Sequence, residues 1–169
     1  MHPTLKATIL ELLSAQTDMT IATVRSDGYP QATTVSYVND RLKIYFGCSK
    51  DSQKAKNIAR SNKVSLTVNG HYSEWSQIKG LSIGGIADRV TADRELKLIE
   101  ELMRAKFPQV AQYGDVVSTA VAFFKVTPLV ISVLDYSKGF GHTDLVTLEP
   151  PRGNALALKR NGAMYSHGG

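Results

Sequence analysis

From Thr20 to Arg25 the side chains alternate, Ile21, Thr23 and Arg25 against Ala22 and Val24, and a two-residue period predicts a strand. Ser26-Asp27-Gly28-Tyr29-Pro30 interrupts it with residues that supply positive φ or preset a turn. Gln31 to Val38 is rich in β-branched residues (Thr33, Thr34, Val35, Val38) and reads as a second strand, with Asn39-Asp40 as a hairpin signal. Leu42, Ile44 and Phe46 then alternate with Lys43 and Tyr45, which predicts a third strand with one apolar face and one polar or amphipathic face. After Ser49-Lys50-Asp51-Ser52 the period lengthens to that of a helix. Ala55, Ile58 and Ala59 share one face, and Asp51 or Ser52 is placed to cap it.

Upstream, Leu5, Ile9, Leu12 and Leu13 fall on one side of a helix that Thr4 can cap, a lid for one opening of a sheet assembly. Downstream, Val64 to Asn69 alternates as a fourth strand, and Asn69-Gly70 turns the chain. Trp75 to Val90 reads as a strand pair or one bent strand, in which Gly84-Gly85 marks a bulge or a close backbone approach. Thr91-Ala92-Asp93 starts the longest helix, with Leu96, Ile99, Leu102 and Met103 as its buried stripe. Phe107-Pro108 ends that helix, and Gln109 to Gly114 is expected to add one turn. Val121–Val126 and Leu129–Asp135 read as two last strands parted by Thr127-Pro128, followed by a brief apolar run at Leu145-Val146. Six or seven short strands with inserted helices point to an α+β domain built on a small barrel. The expected domain is residues 1–148. Residues 149–169, rich in Pro, Gly, Asn, Arg and Lys, read as a basic tail, flexible or packed on a partner chain.

Composition narrows the function classes. Twenty Lys and Arg against 15 acidic residues leave a net charge of +5, which favours an anionic partner, either a phosphorylated cofactor or nucleic acid. Aromatics are 8% of the chain and scattered, so a nucleic-acid module ranks last and none is expected as a partner. The single cysteine, Cys48, excludes an intrachain disulfide and a multi-cysteine metal site, and reads as a buried filler or a reactive thiol. His2, His71, His142 and His167 make no metal-ligand spacing, so no metal is expected. With no signal peptide and no apolar run of membrane-spanning length, the expected compartment is the cytoplasm, with no membrane partner.

Two places carry candidate chemistry. A helix start leaves N–H groups unpaired and carries partial positive charge, so it attracts anions. At the junction before the second helix, Ser49, Lys50, Ser52 and Lys54 would add hydroxyls and ammonium groups to a bound phosphate. The same residues also read as an ordinary cap beside solvated lysines. The second place is Gly139-Phe140-Gly141-His142, where glycines allow close backbone approach, Phe140 can stack on a planar ligand, and the imidazole can donate, accept or ligate. A surface loop histidine is the alternative. Trp75 reads as core or dimer interface.

The order and spacing of Ser26-Asp27-Gly28-Tyr29-Pro30-Gln31, Ser52-Gln53-Lys54-Ala55-Lys56-Asn57-Ile58, Asn62-Lys63-Val64-Ser65-Leu66 and Gly85-Ile86-Ala87-Asp88-Arg89-Val90 resemble the FMN-binding split β-barrels of the pyridoxamine 5'-phosphate oxidase superfamily, over roughly Leu5 to Leu148. The resemblance implies a six- to seven-stranded antiparallel split β-barrel with flanking helices. It also implies a homodimer with FMN at the interface and an oxidoreductase activity on a small organic substrate. By the same resemblance the flavin ring would lie along Thr33, Thr34, Val35 and Ser36, with Gly47 and Cys48 as a further contact. The phosphate would be held by Gln53-Lys54, with Lys50 supplying the charge of an arginine often found at Gln53, and Gln77 or Lys79 would reach the flavin. The family's substrate-holding Arg-x-His becomes Phe140-Gly141-His142, a family tryptophan falls on Leu134, and an FMN-contacting arginine falls on Asp144. A substrate other than pyridoxamine phosphate, or none, is therefore expected. Haem binding or degradation with His142 as ligand, and a deazaflavin cofactor in the same pocket, are the alternatives.

Overall fold

The computed structural model describes residues 1–114 and 116–149, so the tail read from the sequence lies, apart from Glu149, outside the described residues. Helix α1 (Pro3–Ala15) is followed by β1 (Asp18–Val24), β2 (Pro30–Ser36), β3 (Val38–Asp40) and β4 (Lys43–Ser49). Helix α2 (Gln53–Arg60), β5 (Lys63–Asn69), β6 (Lys79–Arg89), helix α3 (Asp93–Lys106), β7 (Val121–Asp135) and β8 (Thr143–Thr147) complete the order. All pairings are antiparallel, in the order β2-β1-β5-β6-β7-β4-β3, with β8 added on β7. This is the α+β barrel domain that the pattern of short alternating strands predicts, in the split form that the resemblance implies.

Alternation puts one face of every strand except the short β3 into a single interior. Met19, Ile21, Ile44, Phe46, Leu66, Val68, Leu81, Ile83, Phe124, Val126, Ile131 and Val133 meet there, with Phe46 and Phe124 stacked at 5.4 Å. Each such side chain contributes about 1.5–3 kcal/mol when fully buried. Helix α1 closes one opening with Ile9, Leu12 and Leu13 and lies against β3, β5 and β6. It begins at Pro3, whose fixed φ suits a first helical position, so Thr4 is inside the helix and does not cap it.

Other expectations change for identifiable reasons. The second predicted strand stops at Ser36 because Tyr37 turns inward. Its hydroxyl donates to the Leu13 carbonyl at 2.8 Å and its N–H to Thr17 O at 3.2 Å, and Val38 opens a separate strand. The face of β4 expected to be polar or amphipathic is covered, with Tyr45 only 1% exposed. Helix α3 packs there, building a second core from Val38, Tyr45, Val90, Ile99, Phe107 and Phe123. Val121–Val126 and Leu129–Asp135 are one 15-residue strand, β7. Pro128 is accommodated because the β6–β7 register shifts between Gly84 and Gly85, leaving Leu129 as the extra residue. A Cβ on Gly85 would lie 2.6 Å from the Thr127 carbonyl oxygen, so the close approach needs glycine. The Trp75–Val90 stretch is one bent strand, β6, preceded by a 3₁₀ turn at Trp75–Gln77. Trp75 is not core: it is 67% exposed. Among the described residues no helix is long and apolar enough to cross a membrane.

Candidate functional site

On the outside of the barrel β2 and β4 run side by side with no ladder between them. Among the described residues β2 bonds only to β1, and β3 pairs only with Lys43–Tyr45 of β4. The edge of β2 and the last half of β4 are therefore free to offer backbone groups to a ligand. A groove of about 650 Å³ lies along them. Its strand walls are Thr34, Val35 and Ser36 from β2, Gly47, Cys48 and Ser49 from β4, and Val121 and Phe123 from β7. The opposite wall is apolar, from Met103, Val110 and Val116, with Gly114 beside them. Gly47 must lack a side chain, because a Cβ would sit 2.8 Å from the Phe123 ring.

One end of the groove is the start of α2, where Ser52 and Lys54 line it. The structure chooses Ser52 as the cap: its Oγ accepts from the Ala55 N–H at 3.4 Å and donates to Cys48 Sγ at 3.4 Å. Ser52 N–H donates to the Ser49 carbonyl at 3.0 Å, and Asp51 N–H to Ser49 Oγ at 3.3 Å. The N–H groups of Gln53 and Lys54, in the first helical turn, have no intrahelical acceptor. Apolar wall, free strand edges and a cationic, amide-bearing end suit a flat ring system carrying a phosphate, at a volume ordinary for such ligands.

Thus Thr34, Val35, Ser36, Gly47, Cys48, Ser49, Ser52 and Lys54 of the predicted set are brought together. Thr33 is not among the lining residues. It is half-buried on β2, and its Oγ1 is buried without a hydrogen-bond partner among the described residues. Lys50 stands exposed at the bend, its N–H bonded to the Ala120 carbonyl. Gln53 turns its amide to Asn57 Oδ1 at 2.9 Å.

The other predicted residues lie elsewhere in the chain. Val121 at the groove and Asp135 are the two ends of β7, separated by about 45 Å of strand. At the Asp135 end, Lys79 Nζ is 3.9 Å from Asp135 Oδ1, and Gln77 Oε1 accepts from Ser73 Oγ at 2.9 Å. Burial alone would raise the Asp135 carboxyl, but bonds from Ser137 and the charges of Lys79 and Lys138 outweigh it and hold it below the usual range. His142 Nε2 lies 3.2 Å from Asp144 Oδ2, which also accepts from Lys138 Nζ at 2.9 Å. Those two bonds, that from Lys138 foremost, keep the Asp144 carboxyl low. Beside this cluster Trp75 stacks on Phe140 at 5.6 Å, and Tyr136 meets Phe140 at 5.1 Å.

Two parts of the site escape sequence reading. Met103, Val110 and Val116 form a wall from residues more than 50 positions beyond the strands β2 and β4, and nothing local announces that juxtaposition. Asn57 is buried in place of Ala59, which is exposed; its only signal is the Gln53–Asn57 spacing of one helical turn.

Comparison with known proteins agrees with this architecture. A pyridoxine/pyridoxamine 5'-phosphate oxidase of Vibrio cholerae is 35% identical over 100 residues, which is 59% of this chain but only 44% of that protein. A heme binding protein from Mycobacterium smegmatis superposes with a TM-score of 0.73 at 17% identity, covering 87% of this chain and 59% of the other. A candidate pyridoxamine 5'-phosphate oxidase from Listeria innocua gives 0.64 at 22% identity, covering 78% and 98%. These likenesses to solved structures speak for the fold. Residues 5–135 match the profile described as Pyridoxamine 5'-phosphate oxidase, more than half of the sequence and every strand but β8, and the chain belongs to that family.

Proposed function

We propose that this protein binds FMN along the outer faces of β2 and β4, as one half of a homodimer, and exchanges electrons with a small organic substrate in the cytoplasm. The groove that ends at Lys54 and the start of α2 carries the proposal. The phosphate would meet Lys54 Nζ, the amides of Gln53 and Lys54, and the hydroxyls of Ser49 and Ser52. The free edges of β2 and β4 would hold the polar rim of the ring system, and Met103, Val110 and Val116 would exclude water from its apolar part. Bound there, FMN would supply electron transfer, while the chain supplies position and electrostatics. Lys79, Gln77 and His142 lie near the end of β7 away from the groove and do not line it, and a second copy could bring its own set to the groove. Phe140 in place of a cationic residue argues for a substrate other than pyridoxamine phosphate.

Titration of flavin absorbance and fluorescence tests this. Lys54→Ala should weaken FMN binding about 10- to 100-fold, the worth of a charge-assisted hydrogen bond, and leave riboflavin unchanged. Equal losses for both would remove the phosphate assignment, and no FMN uptake would remove the reading. A deazaflavin would instead declare itself by its own spectrum on purification.

A second reading is haem binding through His142. Asp144 holds Nε2, which orients the ring as carboxylates do for ligating histidines, and Nδ1 has no hydrogen-bond partner among the described residues; the exposed Trp75–Phe140 stack belongs to the same loop region. A Soret band with hemin that disappears in His142→Ala would support it.

A further inference from the structure

Helix α2 has eight residues and buries only Ala55, Asn57 and Ile58. Two small patches of apolar contact do not fix a helix along its axis or about it, because hydrophobic burial has no direction. Asn57 supplies direction. It is 2% exposed, so its amide must find partners inside the protein. Nδ2 donates to Thr23 Oγ1 on β1 and to Gln31 Oε1 on β2, both at 3.0 Å, and Oδ1 accepts from Gln53 Nε2 at 2.9 Å. One line of hydrogen bonds thus runs from two strands, through the helix, back to its first residue. Gln53 immediately precedes Lys54. Gln31 lies on the strand that continues into Thr34, Val35 and Ser36. The network therefore joins the two parts of the groove that a phosphorylated ring would span.

We infer that Asn57 is a positioning residue for phosphate recognition: through Gln53 and Gln31 it holds Lys54 and the first amides of α2 in register with the β2 wall. It does not touch the groove and acts on a ligand only through those neighbours. The inference rests on the reading of the groove as an FMN site, and the ligand chemistry it addresses is a phosphomonoester joined to a ring.

The test is the ratio of FMN to riboflavin affinity in Asn57→Leu, which keeps the side-chain volume and removes the bonds. It is paired with amide hydrogen exchange of residues 52–56 in the flavin-free protein. FMN should weaken about tenfold, riboflavin should change less than about twofold, and exchange at the start of α2 should quicken. A role confined to stability would lower the melting temperature and shift both flavins together. That outcome, or an unchanged FMN-to-riboflavin ratio, overturns the inference. Should Asn57→Leu fail to fold, Gln53→Met cuts the link to the helix start while leaving both strand bonds, and must lower the same ratio. If wild-type protein takes up neither flavin, the FMN reading falls. The exchange measurement then decides the anchoring by itself, and unaltered exchange in Asn57→Leu overturns it too.

Discussion

Gly47→Ala is the most informative single substitution in the groove wall. The added methyl would stand 2.8 Å from Phe123 Cε1, 3.3 Å from Phe123 Cδ1 and 3.2 Å from Val121 Cγ1. An ordinary contact needs about 3.4 Å or more, so the Phe123 ring must move by roughly half an ångström. It has little freedom to do so, being packed against Tyr45, Val90, Ile99 and Phe107 in the core under α3. Overpacking of this kind costs about 1–3 kcal/mol. For a chain of this size that is a fall in melting temperature of about 3–10 °C, measured by circular dichroism. The same clash identifies its own relief. Phe123→Leu removes Cε1, the ring atom closest to the methyl, so Gly47→Ala should cost less in that background, with a coupling of about 1 kcal/mol in a double-mutant cycle. Because Phe123 also lines the groove, FMN binding should weaken in the single variant and recover in the double. Additive stabilities, or a single variant within about 0.5 kcal/mol of wild type, would refute the assigned contact.

Three further outcomes follow from other parts of the molecule. Gly85→Ala should be costlier than Gly47→Ala, because the obstacle is the Thr127 carbonyl in the backbone ladder and no rotamer change relieves it; a smaller loss in urea unfolding would contradict this. Thr33→Val should leave stability equal or raise it by about 1 kcal/mol, since it removes a buried hydroxyl without a partner, and a clear loss would mean that the hydroxyl is bonded. Burial pulls Lys106 down to about 8 from 10.5, against the opposing charge of Asp18, as its Nζ sits 4.0 Å over the Tyr37 ring. Between those values the unfolded chain holds a proton that the native state has released. Stability should therefore rise with pH from about 8 towards 10, by about 1 kcal/mol once the side chain's half exposure is allowed for, and Lys106→Met should flatten the rise. Above pH 10 the opposite trend should enter from Tyr37 and Tyr45, whose hydroxyls burial holds protonated.

Local pattern reveals the strands well because one barrel interior imposes one alternation on all of them. Ile21, Ile44, Phe46, Leu66 and Val68 are inside as their spacing predicts. It fails where a second layer reverses the meaning of a position. Tyr45 reads as the polar side of an alternating strand until α3, some 50 residues on, covers it and Glu95 accepts its hydroxyl at 3.1 Å. Pro128 reads as the end of a strand because the matching irregularity at Gly84-Gly85 belongs to a different element. The site divides in the same way. Ser49, Ser52 and Lys54 are legible because a helix start is a local object, Thr34 to Ser36 enter only through the family resemblance, and the apolar wall is assembled by tertiary packing alone. His142 is legible as a residue, but its partnership with Asp144 and Lys138 depends on the turn between β7 and β8.

The sheet order sets the order in which the molecule can be built. β2, β1, β5 and β6 are joined by ladders among themselves, and β3 pairs with β4, but among the described residues only β7 joins these two groups by hydrogen-bonded ladders. Residues 44–49 must therefore wait for residues 121–126, and closing so long an intervening loop is slow. A nascent chain that has emerged only as far as Arg89 can close the first group, yet the only ladder available to β4 is its short hairpin with β3. The groove faces β2 on one side and β4 on the other, so a continuous hydrogen-bonded ladder links its two strand sides only once β7 is in place.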